Sequence, residues 1–147
     1  MRIYLNLLQI EKIRKEGKRI GFTCSTFDLL HAGHIAMLAE SKSKCDYLIV
    51  GLLCDPTHDR PKKQKPIQSL FERWVQLDAV SYVDMIIPFQ TEQDIVDMVL
   101  TLKPDIRIVG EEYKDKDHTG KGLCPIYYNS RKHSFSSTEL KERIKDD

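Results

Sequence analysis

The sequence predicts an α/β protein, a single domain built on a doubly wound parallel sheet. Short apolar runs alternate with amphipathic helical patterns along the whole chain, which is typical of a parallel sheet covered by helices. Residues 46–53 form a near-continuous apolar run, as expected of a strand buried on both faces. The 147 residues have the size of one ordinary domain, and the sequence shows no repeat or linker.

The predicted elements follow from apolar periodicity and from capping signals. Helices are predicted at 6–16, from about 33 to 44, 69–80, 92–102 and 136–145. Strands are predicted at 19–24, 46–53, 85–87, 106–109 and 125–128. The predicted N-caps are Asn6, Ser69, Thr91 and Ser136, and both serines are followed three residues later by a glutamate. Residues 1–18 are interpreted as a helical extension of one domain, 1–147.

Composition limits the function classes. The net charge of +1 favours neither nucleic acid nor a membrane surface as a partner. No apolar stretch approaches the roughly 20 residues of a membrane span, and the N-terminus shows no secretory signal. We therefore expect a cytoplasmic protein. The four cysteines form no C-x-x-C pair, so we expect reduced thiols and no metal site built by the protein.

The turn after the first predicted strand holds the most informative motif, residues 25–34 (STFDLLHAGH). Ligands of open parallel sheets bind beyond the carboxyl ends of the strands, where this turn must lie. His31 and His34 are three residues apart, so they share one face if both lie in the first helical turn. With the Thr26 hydroxyl and the free N–H groups of a helix start, they form a predicted anion cradle.

Such a cradle suits phosphoryl transfer, in which positioning and charge stabilisation do most of the work. Gly33 between the histidines would let a phosphate approach closely. Asp28 has three open interpretations: it orients a histidine, approaches a magnesium ion or forms the turn.

These residues resemble the cytidylyltransferase-like nucleotidyltransferase family, whose signature is a strand, Gly-Thr-Phe-Asp, and then His-x-Gly-His opening a helix. The resemblance covers about residues 20–144 and includes the segments 81–84, 110–113 and 131–138. Here Ser25 replaces the signature's first glycine, and Ser81 replaces an arginine. These departures leave the triphosphate cradle in place but weaken any assignment of one acceptor.

The resemblance implies a Rossmann-like fold, a homodimer, and in-line transfer assisted by magnesium that the triphosphate and water mainly hold. The first expectation is transfer of CMP from CTP to a phosphorylated small alcohol such as glycerol 3-phosphate, with release of pyrophosphate. The alternatives are an adenylyltransferase acting on a sugar phosphate of the heptose-phosphate kind, and a non-catalytic nucleotide-binding regulatory module.

The resemblance and the positions in the predicted fold together assign site residues. Catalytic roles fall on Thr26, His31, His34, Lys63 and Arg131. Nucleotide contacts fall on Ser25, Thr26, Phe27, Asp28, Gly33, His34, Gly110, Glu112, Tyr113, Arg131, Phe135, Ser136 and Ser137. Acceptor contacts fall on Asp55, Lys65 and Arg73.

Two of these assignments stay open on the sequence. Lys63 and Lys65 lie in a basic loop, residues 55–67, that is either solvated or a lid over phosphates, and the choice between the two lysines is undecided. Arg73 either faces a substrate phosphate or is a surface residue paired with Glu72 or Asp78.

Overall fold

The computed structural model describes residues 2–130 and 135–146, and it confirms the doubly wound α/β prediction. Five strands pair in parallel, in the order β3-β2-β1-β4-β5. The strands are β1 (Ile20–Ser25), β2 (Tyr47–Leu53), β3 (Met85–Phe89), β4 (Ile106–Gly110) and β5 (Ile126–Asn129). The helices are α1 (Arg2–Lys15), α2 (Ala32–Lys42), α3 (Leu70–Asp78), α4 (Glu92–Leu102) and α5 (Ser137–Lys145), with a 3₁₀ turn at Glu111–Tyr113.

The core has a layer on each face of the sheet. Ile49 of β2 packs with Ile10 of α1 and Val99 of α4, whereas its neighbour Leu48 packs with Leu38 of α2 and Leu77 of α3. Successive side chains of a strand point to opposite faces, so both sets of β2 side chains are buried. This explains why β2 reads as a continuous apolar run rather than an alternating one.

The predicted element boundaries hold with small corrections. The first helix begins at Arg2 rather than at residue 6, because leucines on both sides of Asn6 are good helix formers and Asn6 lies within the helix. Its Ile10 is 1% exposed, so the predicted extension is part of the core. Strand β3 continues through Pro88 to Phe89, which is possible because β3 is an edge strand. Over the described residues, no helix combines the length and apolar character needed to cross a membrane.

Candidate active site

A cleft of about 700 Å³ opens at the carboxyl ends of β1 and β4. In the strand order, β1 has β2 on one side and β4 on the other, so the chain reverses its direction of winding between β1 and β4. This is the switch point at which doubly wound sheets bind ligands. The cleft spans the sheet, with α2 residues on one side and α4 residues on the other.

The two histidines of the motif meet at the start of α2. His31 is the N-cap, and its Nδ1 accepts the Gly33 N–H at 3.0 Å. The Nδ1 atom of His34 in turn accepts the His31 N–H at 3.2 Å. The two imidazoles thus form a reciprocal capping box, and their rings stack with centroids 3.9 Å apart. The sequence predicted that both histidines would share one face if both lay in the first helical turn. Only His34 lies inside the helix, but the two rings are still side by side.

The hydrogen bonds of the two rings determine where their protons lie. Since each Nδ1 accepts a main-chain N–H, we infer that each Nε2 carries the proton. Burial, and secondly the neighbouring His31, lower the pKa of His34 to about 4. At neutral pH, His34 is therefore an uncharged ring whose Nε2–H can donate to an anion. Both residues line the cleft.

Gly33 is needed for the histidine arrangement itself. A Cβ at this position would lie 2.8 Å from Cε1 of His31 and 3.0 Å from the carbonyl oxygen of Phe135. Both distances are shorter than ordinary carbon contacts, so a side chain here would displace the ring or the segment before α5. The sequence interpretation attributed this glycine to phosphate approach; in the structure, His31 and Phe135 occupy the space that a side chain would need.

The turn between β1 and α2 is held in a strained conformation. Phe27 and Leu29 have φ of 53° and 51°, in the left-handed region that non-glycine residues rarely adopt. Between them, the carboxylate of Asp28 accepts the N–H groups of Ile67 and Gln68 at 2.9 and 3.0 Å. Of the three interpretations of Asp28, the structure supports the turn-former, because its carboxylate bonds the end of the basic loop.

Phe27 was expected to contact the nucleotide, and the structure corrects this for its side chain. The ring is 1% exposed and belongs to the core layer of α2 and α3. Its centroid lies 5.4 Å from that of His34, so the Phe27 ring packs against the His34 ring.

The other described residues that were expected to contact the nucleotide converge on the cleft. Ser137 donates its hydroxyl to the Asp28 carbonyl at 3.3 Å, which connects the start of α5 to the histidine turn. Ser136 caps α5 by accepting the Glu139 N–H at 3.1 Å. The cleft lining includes Ser25, Thr26, Gly110, Glu112, Tyr113, Phe135, Ser136 and Ser137. Arg131 lies outside the described residues.

The three expected acceptor residues lie elsewhere. Asp55, Lys65 and Arg73 line a separate hollow of about 300 Å³, which shares no lining residue with the main cleft. Asp55 accepts the N–H and hydroxyl of Thr57 at 2.9 and 2.6 Å, and these bonds lower the pKa of its carboxyl. Lys63 is exposed on the loop and lines neither space.

Arg73 requires the largest correction, because it is buried rather than on the surface and its guanidinium is bonded to main-chain carbonyls. The residue is 2% exposed. Its guanidinium donates to four main-chain carbonyls, those of Thr26, Leu53, Cys54 and Gln68. A guanidinium has five N–H donors, and most of those of Arg73 hold the carboxyl ends of β1 and β2 together. Arg73 thus positions the loop that carries Thr26.

The sequence interpretation missed the side of the cleft next to α4. Glu92, the first residue of α4, accepts the Thr119 hydroxyl at 2.7 Å and lies 3.5 Å from Arg60. Arg107 of β4 donates to the Thr119 carbonyl at 2.6 Å. One signal was available, because an arginine within a predicted buried strand is unusual. The other three residues, Arg60, Glu92 and Thr119, come from distant segments that no local pattern connects.

A parallel sheet with its cleft at the switch point, and paired imidazoles at a helix start beside it, defines a domain of the nucleotidyltransferase class. Residues 22–143 match the family model described as cytidylyltransferase-like. The chain belongs to the cytidylyltransferase-like family, as its motifs predicted.

Similar proteins include the bifunctional protein HldE of Paramagnetospirillum magneticum, 38% identical over 71% of this chain and 21% of that protein. The bifunctional protein HldE of Campylobacter jejuni is 36% identical over 91% of this chain and 29% of that protein. The chain thus spans less than a third of the length of these curated relatives. Among solved structures, the lipopolysaccharide core biosynthesis protein of Thermoplasma volcanium has a TM-score of 0.58 and 28% identity, over 88% of both chains.

Proposed function

We propose that this protein is an adenylyltransferase that transfers AMP from ATP to a sugar phosphate of the heptose-phosphate kind and releases pyrophosphate. The proposal rests above all on the stacked pair of imidazoles at the start of α2. Its substrate class rests on the relatives named HldE, which contain a heptose-phosphate adenylyltransferase domain. The relatives support this alternative better than the first expectation, transfer of CMP to glycerol 3-phosphate.

The proposed reaction is a single displacement at phosphorus. A phosphate oxygen of the acceptor attacks the α-phosphorus of the nucleotide, and the bond from that phosphorus to the bridging oxygen of the β-phosphate breaks. Pyrophosphate leaves with the electrons of that bond. Negative charge then grows on the departing oxygens, where preorganised donors stabilise the transition state more than the ground state.

The chain offers such donors on the α2 side of the cleft. The Nε2–H groups of His31 and His34 are the candidates for the β- and γ-phosphate oxygens. Because His34 stays neutral at pH 7, it offers an N–H donor that is too weakly acidic to transfer its proton to the acceptor phosphate. The hydroxyls of Thr26 and Ser136 line the same cleft and add donors around the triphosphate.

Magnesium is implied by the family resemblance and fits only as an ion that arrives with the nucleotide. Among the described residues, no three histidine, cysteine or acidic side chains are grouped to hold a metal ion. The one carboxylate of the histidine turn, Asp28, already accepts two N–H groups. When bound to the triphosphate, magnesium supplies charge neutralisation.

A substrate panel tests the activity. Pure protein is incubated with ATP, CTP, GTP or UTP and with heptose, hexose and glycerol phosphates, and pyrophosphate release is measured. We expect turnover with ATP and a sugar phosphate. Turnover with CTP and glycerol 3-phosphate would restore the cytidylyl expectation, and nucleotide binding without turnover on any acceptor would indicate a regulatory module.

Substitution of His34 tests the mechanism. His34→Asn should lower kcat by about 100-fold or more, which is the usual cost of removing one donor to a developing oxyanion. His58→Asn is the matched control, because His58 is exposed on the basic loop and lines neither cavity. Both variants should keep the wild-type circular dichroism. Unchanged kcat in His34→Asn would refute the proposed role of the imidazoles.

Two further parts of the proposal concern the whole protein. A homodimer is expected from the family resemblance, and light scattering at several concentrations tests it. A cytoplasmic location is expected from the composition, and fractionation of the source cells tests it.

A further inference from the structure

The α4 side of the cleft contains a buried cation whose hydrogen bonds are incomplete. Arg107 is 5% exposed, and its Nη1 donates to the Thr119 carbonyl at 2.6 Å. Its Nε is buried and has no hydrogen-bond partner within the described part of the chain. A buried donor of a charged group is costly when left unpaired, so such a group in a cleft points to a ligand that completes it.

The surroundings of Arg107 supply no counter-charge. Within residues 2–130 and 135–146, no carboxylate lies within 4 Å of its guanidinium. Glu92 is the acidic residue on this side of α4, and it is already engaged with Arg60 and with the Thr119 hydroxyl. Cys24 forms a side-chain hydrogen bond with Arg107, but burial raises the pKa of its thiol to about 11, so the thiol is uncharged and does not balance the charge of the guanidinium. The missing partner is therefore an oxyanion from outside the chain.

The position of Arg107 separates this oxyanion from the reacting phosphate. Arg107 pairs in register with Phe22, three residues before Ser25 at the end of β1. Three residues of strand correspond to roughly 10 Å. The guanidinium is also anchored to Thr119, on the side of the sheet opposite α2. The triphosphate and the attacking phosphate must meet beside His34 and Thr26, at the strand ends.

We propose that Arg107, Arg60 and Thr119, with Glu92 holding Arg60 and Thr119 in place, form a subsite that binds a second, non-reacting oxyanion of the acceptor, either a carboxylate or a phosphate. We call it the Arg107 subsite. The inference rests on the proposed function, and it narrows the acceptor to a sugar phosphate with a further acidic group. Arg107 supplies the Nε–H donor, and Arg60 adds positive charge at the mouth of the subsite.

The first test is a direct titration with inorganic phosphate. The nucleotide site is first filled with a non-hydrolysable ATP analogue, and phosphate binding is measured by calorimetry. We expect wild-type protein to bind phosphate and Arg107→Met to bind it at least tenfold more weakly. Arg14→Met is the matched control and should change the affinity less than twofold. Arg14 also donates to main-chain carbonyls, those of Leu102 and Lys103, but it lies outside the cleft.

The second test uses turnover on matched acceptors: a hexose phosphate, the corresponding uronic acid phosphate and the hexose bisphosphate. Arg107→Met should lower kcat/KM at least tenfold on an acidic acceptor and less than twofold on the plain hexose phosphate. The uronic acid phosphate and the bisphosphate distinguish a carboxylate from a phosphate. Equal losses on all three acceptors would overturn the inference and make Arg107 a purely structural residue.

Two variants guard against a folding defect. Arg107→Lys keeps the charge but lacks Nε, and Arg60→Met alters an exposed loop residue. Both should weaken phosphate binding about threefold or more, and unchanged binding in both would overturn the inference. Failure of the proposed function has a different signature, because Arg107-dependent phosphate binding would then persist in a protein that releases no pyrophosphate with any substrate pair.

Discussion

Asp28 and Gln68 connect the histidine turn to the end of the basic loop through two hydrogen bonds, which we call the clasp. The Asp28 carboxylate accepts the Gln68 N–H at 3.0 Å, and the Gln68 side-chain oxygen accepts the Leu29 N–H at 2.8 Å. The clasp joins the end of the basic loop to a turn whose flanking residues Phe27 and Leu29 are in the left-handed region. Two strained residues persist only when their surroundings hold them, and this clasp is part of that support.

We expect Asp28→Ala to loosen this turn. Loss of two hydrogen bonds to a partly buried carboxylate should cost about 1–2 kcal/mol of the free energy of unfolding. A less well-positioned histidine pair should lower kcat by about tenfold. Gln68→Ala, which breaks one bond of the clasp, should show a smaller loss. The measurements are urea denaturation, turnover and the rate of proteolysis within residues 55–67.

Asp97→Ala is the control for this experiment, because Asp97 is exposed on α4 and bonds only to the Gln93 side chain among the described residues. It should leave all three measurements unchanged. Equal proteolysis of Asp28→Ala and wild type would show that the clasp does not order the loop.

Acidification should destabilise the protein through His34. Its folded pKa, about 4, is below the ordinary value of 6.5, so the unfolded chain binds the proton more tightly. The stabilising contribution is complete above about pH 6.5 and is lost as the pH falls towards 4. Its size is on the order of 3 kcal/mol, because the pKa falls from 6.5 to about 4 and each unit corresponds to about 1.36 kcal/mol. Urea denaturation from pH 4 to 8 should show this slope, and His34→Asn should reduce it.

The same pKa of His34 predicts the pH at which kcat/KM falls on the acidic side of the pH–rate profile. Protonation of His34 at Nδ1 would break its bond from the His31 N–H and disturb the stacked pair. The fall in kcat/KM that His34 causes should therefore have a midpoint near pH 4 rather than 6.5. A pH–rate profile on protein shown to remain folded measures it. A midpoint at 6.5 that disappears in His34→Asn would contradict the assignment of a buried neutral ring.

Gly33→Ala should damage the site more than the fold. The new methyl group would meet the His31 ring and the Phe135 carbonyl at 2.8–3.0 Å, so one of them must move. We expect a loss of about 1–3 kcal/mol, the usual cost of overpacking, with at least a tenfold fall in kcat. Gly33→Ser should be no better. Ala36→Ser adds an atom to an exposed position of α2 and should change stability by less than about 0.5 kcal/mol.

Arg73→Met should unfold the protein more readily than any of the changes above. It would leave carbonyls of Thr26, Leu53 and Cys54 without their buried donor. We expect a loss of about 3 kcal/mol or more in the free energy of unfolding by urea. Arg143→Met, on the exposed side of α5, is the control and should be neutral. A stable Arg73→Met protein with weakened acceptor binding would instead restore the acceptor role that the sequence suggested.

Local patterns in the sequence determined most of the fold. The Thr91 cap and helix 92–102 agree with the structure residue for residue, and Ser69 caps α3 as predicted. These signals act between residues three or four positions apart, so they can be recognised in the sequence without knowledge of the fold. The burial of β2 on both faces can also be predicted from the sequence, because the strand then shows no alternation of apolar and polar residues.

The sequence also determined the histidine side of the candidate active site, because His31, Gly33 and His34 lie within four consecutive positions at a predicted strand-to-helix turn. Only the tertiary structure decided the roles of residues whose partners are distant in the chain. Arg73 donates to the carbonyl of Thr26, 47 residues earlier, and Glu92 and Arg107 are linked only because both bond to Thr119, in the segment between β4 and β5. A charged residue gives the same sequence signal whether its side chain faces water, a carbonyl or a ligand. Tertiary packing alone decides which of these surroundings the side chain has.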